Sequence, residues 1–219
     1  MSAPMWKLQP LDAGAFALGE GPFRARGLAY VGALRYVDTR IPGARAAFLR
    51  ALGADDPFAA FYDQIFLVTG DYDVSPLVRL YVVAAKLEGV AVGRFIQERA
   101  RWSGGSDTKG VWKPVLHGPS PAEVAQRLNF AFERYFPPCG ATVIASQAQR
   151  FDGELRGVPS SMNGLYVHCT IGFYAGAVEG AGARDVLVRF EQPAPDGARA
   201  GVAVERIRFA VQWSNPGGA

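Results

Sequence analysis

Histidine and cysteine are almost missing from this chain: two of each occur among 219 residues. His117 and His168 are far apart in sequence, as are Cys139 and Cys169. No CxxC, HExxH or EF-hand spacing occurs, so neither a structural nor a catalytic metal is expected. Asp71-x-Asp73 opens like a cation loop, but Val74, Ser75 and Pro76 stand where further ligands belong. Turn and helix-cap chemistry accounts for both acids. His168 precedes Cys169 directly, and adjacent helical side chains diverge by about 100°, so the two form no base–nucleophile pair. Gly-x-Ser-x-Gly is missing too; Gly118-Pro119-Ser120-Pro121 reads as a helix start rather than a nucleophile elbow. Ser103-Gly104-Gly105-Ser106 lacks the Gly-Lys-Ser/Thr of a phosphate loop and reads as a linker. The expectation is a chain that is not an enzyme, with no catalytic residue, no metal and no cofactor.

Long apolar runs are missing as well. Leu80 to Ala85 is cut by Lys86 and Glu88, far short of the roughly 20 residues that span a membrane. Residues 1–10 carry one lysine and no apolar stretch of the secretory kind. A cytoplasmic protein with reduced thiols and no membrane partner is expected. Lysine is scarce: arginine supplies all but four of the 23 basic residues, and the net charge is +3. The densest group (Arg94, Arg99, Arg101, Lys109 and Lys113) is interrupted by Glu98 and Asp107. Without a basic stripe or a recognition motif, no nucleic-acid partner is expected.

What is present is an ordinary globular composition, 49% hydrophobic and 20% charged, enough to bury one core. Residues 1–26 read as a tail or irregular lead-in, and 27–214 as a single α+β ligand-binding-like domain. Leu28, Val31, Leu34 and Val37 repeat at helical spacing, Ala44 to Leu52 continues to Gly53, and Asp55 to Asp63 holds a short helix. Ile65 to Thr69 is brief and β-like or irregular. Ser75 then stands as N-cap with Pro76 at the first helical position, and Gly89 closes that helix. Val92 to Trp102 repeats the pattern until Gly104-Gly105 breaks it. Ser120-Pro121-Ala122-Glu123 is a capping box, followed by Val124, Leu128, Phe132 and Tyr135 on one face and stopped by Pro137-Pro138.

Beyond that point the period changes to two. Ala141 to Ala148 and Phe151 to Val158 read as strands, with a turn at Arg150 to Gly153. Met162 to Gly180 returns to helix, with Leu165, Cys169, Phe173 and Ala177 inward. Gly164, Gly172, Gly176 and Gly180 share one face. Each glycine costs a helix about 1 kcal/mol relative to alanine, so this face implies close packing against a sheet or a partner helix. Val186 to Phe190 and Ile207 to Trp213 alternate as an antiparallel pair joined by a loop, Gln192 to Gly201. The fold class is therefore α+β: a helical N-terminal two-thirds packed on a small antiparallel sheet formed mainly by the C-terminal third.

Aromatic residues offer the one route to a site. Trp102, Trp112, Phe130, Tyr135, Phe136 and Phe173 fall on or beside core-facing helices. Trp102, Trp112, Tyr135 and Phe173 are the candidate lining of an apolar small-molecule pocket.

Gly172-Phe173-Tyr174-Ala175-Gly176, the strand entry Gly182-Ala183-Arg184-Asp185-Val186, the closing Phe209-Ala210-Val211 and the earlier Arg134-Tyr135-Phe136 carry a resemblance. The layout resembles the 4-vinyl reductase-like sensor domains, relatives of haem–nitric-oxide-binding-like domains and transport-particle subunits. With Leu34-Arg35-Tyr36-Val37 leading, it is also similar to a paralogous family expanded in myxobacteria. The resemblance covers about Gly27 to Trp213 and implies a pocket between helices and sheet, with homodimerisation through helices. Phenol-sensing members carry zinc-holding cysteines near the final hairpin, and residues 192–204 have none. Haem-binding members need a proximal histidine and a Tyr-x-Ser-x-Arg clamp, and that clamp is missing.

The function expected is non-catalytic sensing or binding of a small apolar ligand, acting through a protein partner. The alternative is a homodimeric protein–protein interaction module without ligand. An enzyme would need a polar cluster in a cleft, with Asp71, Asp73 and His117 converging.

Overall fold

The computed structural model of the chain describes residues 6–11, 16–107, 116, 118 and 120–215. Among these residues six helices and seven strands follow in order: β1 (Arg24–Arg26), α1 (Gly27–Arg40), α2 (Ala44–Leu52), β2 (Asp71–Asp73), α3 (Ser75–Glu88), α4 (Val92–Asp107), α5 (Pro121–Tyr135), β3 (Gly140–Gln147), β4 (Arg150–Pro159), α6 (Asn163–Gly180), β5 (Arg184–Phe190), β6 (Ala194–Arg199) and β7 (Val202–Ser214). The residues between α2 and β2 hold a short 3-10 helix, Ala59–Asp63. The α+β class stands, with the main sheet built after residue 139.

That sheet is antiparallel throughout, in the order β3-β4-β7-β5, with β6 pairing a second stretch of β7. β7 is long enough to serve three neighbours: Phe209 stands opposite both Gly153 of β4 and Phe190 of β5, and Ala194 of β6 pairs with Arg206. Alternation along β7 places Ile207, Phe209, Val211 and Trp213 inside. β1 and β2 form a separate two-stranded ribbon in which Arg26 pairs with Asp71 at 3.0 Å.

α6 is the central helix. Residues on every side of it are buried, the pattern of a helix enclosed all round rather than lying on a surface. The Tyr174 ring meets Phe209 of the sheet at 5.5 Å, while the glycine face meets α4. A Cβ on Gly172 would overlap the Gln97 carbonyl, and one on Gly176 would overlap that of Arg101. α4 answers with Gly104, whose Cβ would overlap the Phe173 carbonyl. The tight packing inferred from the glycine spacing is thus against a helix of the same chain at Gly172 and Gly176, whereas Gly164 lies against the Lys7 carbonyl.

Gly104-Gly105 does not break α4, nor is 103–106 a linker: the helix runs to Asp107. Close approach of two backbones, not chain reversal, is what Gly104 serves. Three further expectations need correction. Ser75 is the first residue of α3 and Val74 its N-cap, with no side-chain cap; the Ser75 N–H donates to Asp73 Oδ1 at 3.1 Å and its Oγ accepts the Leu11 N–H at 3.3 Å. Arg150 to Gly153 is strand, with Phe151 and Leu155 turned inward, and the reversal falls at residues 148–149. Within the loop 192–201, Ala194–Arg199 pairs with β7, because the extended β7 offers an open edge there. Ser120 caps α5 by accepting the Glu123 N–H at 3.4 Å, as its box implies.

Residues 6–11 of the lead-in are tied to the body. Gln9 donates to the Ser161 carbonyl, Gly164 donates to that of Lys7, and the Lys7 N–H reaches Asn163 Oδ1 at 2.7 Å. Trp6 closes edge-on over Phe190 at 6.1 Å.

If the α4–α6 contact depends on missing Cβ atoms, Gly172→Ala should destabilise the fold despite alanine's better helix propensity. Overpacking of this kind costs about 1–3 kcal/mol, or several degrees of melting temperature. Gly105→Ala, whose Cβ would find its nearest neighbour at 3.8 Å, should leave the melt unchanged or raise it. Paired thermal melts followed by circular dichroism check both.

Candidate functional site

Three helices converge where α6 leaves the glycine contact. α4 brings Arg99 and Ala100, α5 brings Phe132, Tyr135 and the following Phe136, and α6 brings Cys169, Thr170, Phe173 and Tyr174; together they line a cleft. Each face follows from periodicity: Phe132, Tyr135 and Phe136 stand three and four apart on α5, as do Tyr166, Thr170, Phe173 and Tyr174 on α6. Aromatic rings fill most of the volume. Tyr135 and Phe173 meet edge to face at 5.4 Å, Phe132 and Phe136 at 5.6 Å, and Phe136 and Tyr166 at 5.0 Å.

The free space is small. The cavity volume is about 20 Å³. It leaves room for roughly one water. A larger guest needs Tyr135 and Phe173, which stand at the mouth 6% and 8% exposed, to swing outward.

The polar content of this cleft is unusual for its burial. Thr170 is 2% exposed and its Oγ1 has no hydrogen-bond partner. Behind the Tyr174 wall, Asn129 Oδ1 accepts the Tyr174 hydroxyl at 3.1 Å while its Nδ2 has none. Buried groups left this way cost about 1–3 kcal/mol each. Arg99, 4% exposed, donates to the Ala29 carbonyl at 3.1 Å and places its guanidinium 6.0 Å from the Tyr81 ring. Burial pushes the Cys169 thiol up to about 12, with Arg99 acting the other way, so it is a neutral thiol at physiological pH. Burial likewise raises Cys139 to about 12.

Of the four candidate pocket residues, Tyr135 and Phe173 come together here. Trp102 lies elsewhere, 39% exposed in a shallow surface groove, its ring 5.9 Å from Tyr36 and under the Arg35 guanidinium. Trp112 lies outside the described residues, as does His117. Phe130 is exposed beneath Arg134, and Phe136 belongs to the cleft. Sequence reasoning missed Thr170. Its one signal was position: a hydroxyl on the inward stripe between Tyr166 and Tyr174. Asp71 serves an ion pair with Arg26, and Asp73 accepts the Ser75 and Gly21 N–H groups. Among the described residues no three His, Cys, Asp or Glu side chains gather to hold a metal ion.

No family model matches the sequence, and no curated protein matches it. Solved structures do. An H-NOX variant from T. tengcongensis superposes with a TM-score of 0.58 at 11% identity, covering 87% of this chain and 95% of its own. An iron(II) H-NOX variant from K. algicida gives 0.60 at 9% identity, covering 87% and 97%. A Cs H-NOX variant gives 0.63 at 10% identity, covering 88% and 98%.

The chain has the H-NOX fold. At these identities the likeness is one of architecture. Several of the H-NOX structures are described in terms of haem, so the fit of a haem to this chain's own residues matters. Haem iron takes a histidine, thiolate, methionine or tyrosinate axial ligand. His168 is held at the α4–α6 contact, its Nδ1 2.8 Å from Gln97 Nε2 and its Nε2 against Gly93, where a Cβ would come within 2.6 Å. Both thiols are held neutral, and the buried Tyr166 and Tyr174 phenols are raised well above their ordinary range by desolvation. The cleft holds one water's volume. The described residues of this H-NOX fold do not fit a haem. Nor is any helix among them long and apolar enough to cross a membrane.

His168 generates a pH prediction. Burial lowers its pKa below the usual 6.5, so the unfolded chain takes up a proton before the folded one. The stability it contributes is complete above about pH 6.5 and is lost as pH falls toward its folded pKa. Urea midpoints measured from pH 7.5 to 5 should fall less steeply for His168→Gln than for the wild type.

Proposed function

We propose that this protein is a non-catalytic, haem-free binding domain that senses a small apolar ligand in the α4–α5–α6 cleft and signals through a protein partner. The observation carrying the proposal is Thr170: a buried hydroxyl without a partner, set in a wall of aromatic rings. An apolar molecule with one hydrogen-bonding group would satisfy it, while Tyr135 and Phe173 would close over its body. The H-NOX fold supports the reading, because the solved relatives use this architecture around a bound group. Replacement of a haem by the chain's own rings would leave a smaller, organic guest. A likeness to 4-vinyl reductase-like sensors, proposed on the motifs from Gly172 to Gly176, Gly182 to Val186, Phe209 to Val211 and Arg134 to Phe136, supports the same reading.

A second reading, a docking module without ligand, is favoured by one surface. Ile65, Leu67 and Val68, on either side of the buried Phe66, are 86%, 64% and 42% exposed before β2, more apolar exposure than a short loop usually carries. Its partner would be a second copy or another protein.

Native mass spectrometry of protein purified from its source separates the two. The sensing proposal expects an organic adduct that is not haem. Thr170→Val should raise the melting temperature of the empty protein, by removing an unsatisfied hydroxyl, and weaken retention of the adduct about tenfold. An adduct-free dimer whose melt does not respond to Thr170→Val would overturn the sensing reading and favour the second.

A further inference from the structure

A second cavity, sharing no lining residue with the cleft, lies where described residues between 11 and 21 meet the start of α3. Leu11, Phe16, Leu18 and Phe58 form its apolar walls, and Asp73 and Ser75 its polar end. It holds about 150 Å³ open to water centres, a space that in an apolar core accommodates a guest the size of benzene.

Asp73 is what makes this space chemical. The residue is 5% exposed. Its Oδ2 accepts the Gly21 N–H at 3.3 Å and its Oδ1 the Ser75 N–H at 3.1 Å, two of the roughly four hydrogen bonds a carboxylate can take. No described Lys or Arg forms an ion pair with it. Arg24 stands opposite it in the β1–β2 register yet makes none, whereas the neighbouring Arg26–Asp71 pair closes to 3.0 Å. A buried carboxylate without a cation is costly, and the side turned to the cavity is where compensation can come from. Gly21 keeps that approach open, because a Cβ there would lie 2.7 Å from Oδ2. Ser75 Oγ is already engaged, accepting from Leu11 and lying 4.0 Å from Met162 Sδ.

We propose that this cavity binds a small organic ammonium ion. The Asp73 carboxylate takes the charge, and the aromatic walls Phe16 and Phe58 take the alkyl shell, which an ammonium polarises favourably toward a ring. The site is independent of the cleft: neither Tyr135 nor Thr170 reaches it.

Choline and its neutral isostere 3,3-dimethylbutan-1-ol are the probes, titrated calorimetrically into the full chain. Choline should bind saturably and at least tenfold more tightly than the alcohol. Asp73→Asn should weaken choline at least tenfold and leave the alcohol unchanged. Because Asp73 also accepts the Ser75 N–H at the start of α3, Phe16→Trp, which narrows the cavity without touching that bond, provides the control: it should abolish choline binding in a protein of unchanged circular dichroism. Thr170→Val should not alter choline binding, which separates this proposal from the cleft. Equal affinity for the two probes, no saturable binding of choline, or undiminished binding by either Asp73→Asn or Phe16→Trp would overturn the proposal, and a water-filled void would then account for the space.

Discussion

The architecture rests on a contact made almost without side chains. α4 and α6 approach until the carbonyls of Gln97 and Arg101 lie where Cβ atoms of Gly172 and Gly176 would be, and Gly104 returns the favour to Phe173. Two backbones this close bury little apolar area per residue, so the gain comes from dense dispersion contact and from fixing one rotational setting of α6. That setting decides everything else on the helix. With the glycine face against α4, Tyr174 must face Phe209 of the sheet, and Thr170 and Phe173 must face α5. The cleft is a consequence of the glycine register.

Such a contact also explains why an all-buried helix can be rich in a residue that disfavours helix. Isolated, a segment with four glycines would be a poor helix former. Enclosed between α4 and the sheet, its backbone bonds have no competing water, and tertiary packing overrides the local penalty.

Much of this was legible in the chain. The Ser120 capping box, the glycine period and the two-residue alternation of β7 each state their own geometry. What escaped was whatever depends on a partner distant in sequence. Gly104-Gly105 looks like a break until Phe173 is placed beside it. Ser75 looks like a cap until Asp73 reaches its N–H and Leu11 occupies its hydroxyl. Strand β6 has no alternation of its own and exists because β7 outruns its other neighbours. Of the aromatic residues, nothing local distinguishes Trp102, which turns to α1, from Phe173, which turns to α5. Thr170 is one ordinary letter whose meaning comes from the rings around it.

The strap formed by residues 6–11 has a consequence for the order of assembly. Lys7 bonds to Asn163 and Gly164, Gln9 to Ser161, and Asn163 in turn holds Glu205 of β7 at 2.9 Å. The Lys7–Asn163 link spans 156 positions. On a ribosome residues 6–11 emerge well before α6, so their docking surface is made only later. Contacts of such separation carry a large loop-closure cost and form late. The strap is therefore made before its seat and docked only after it.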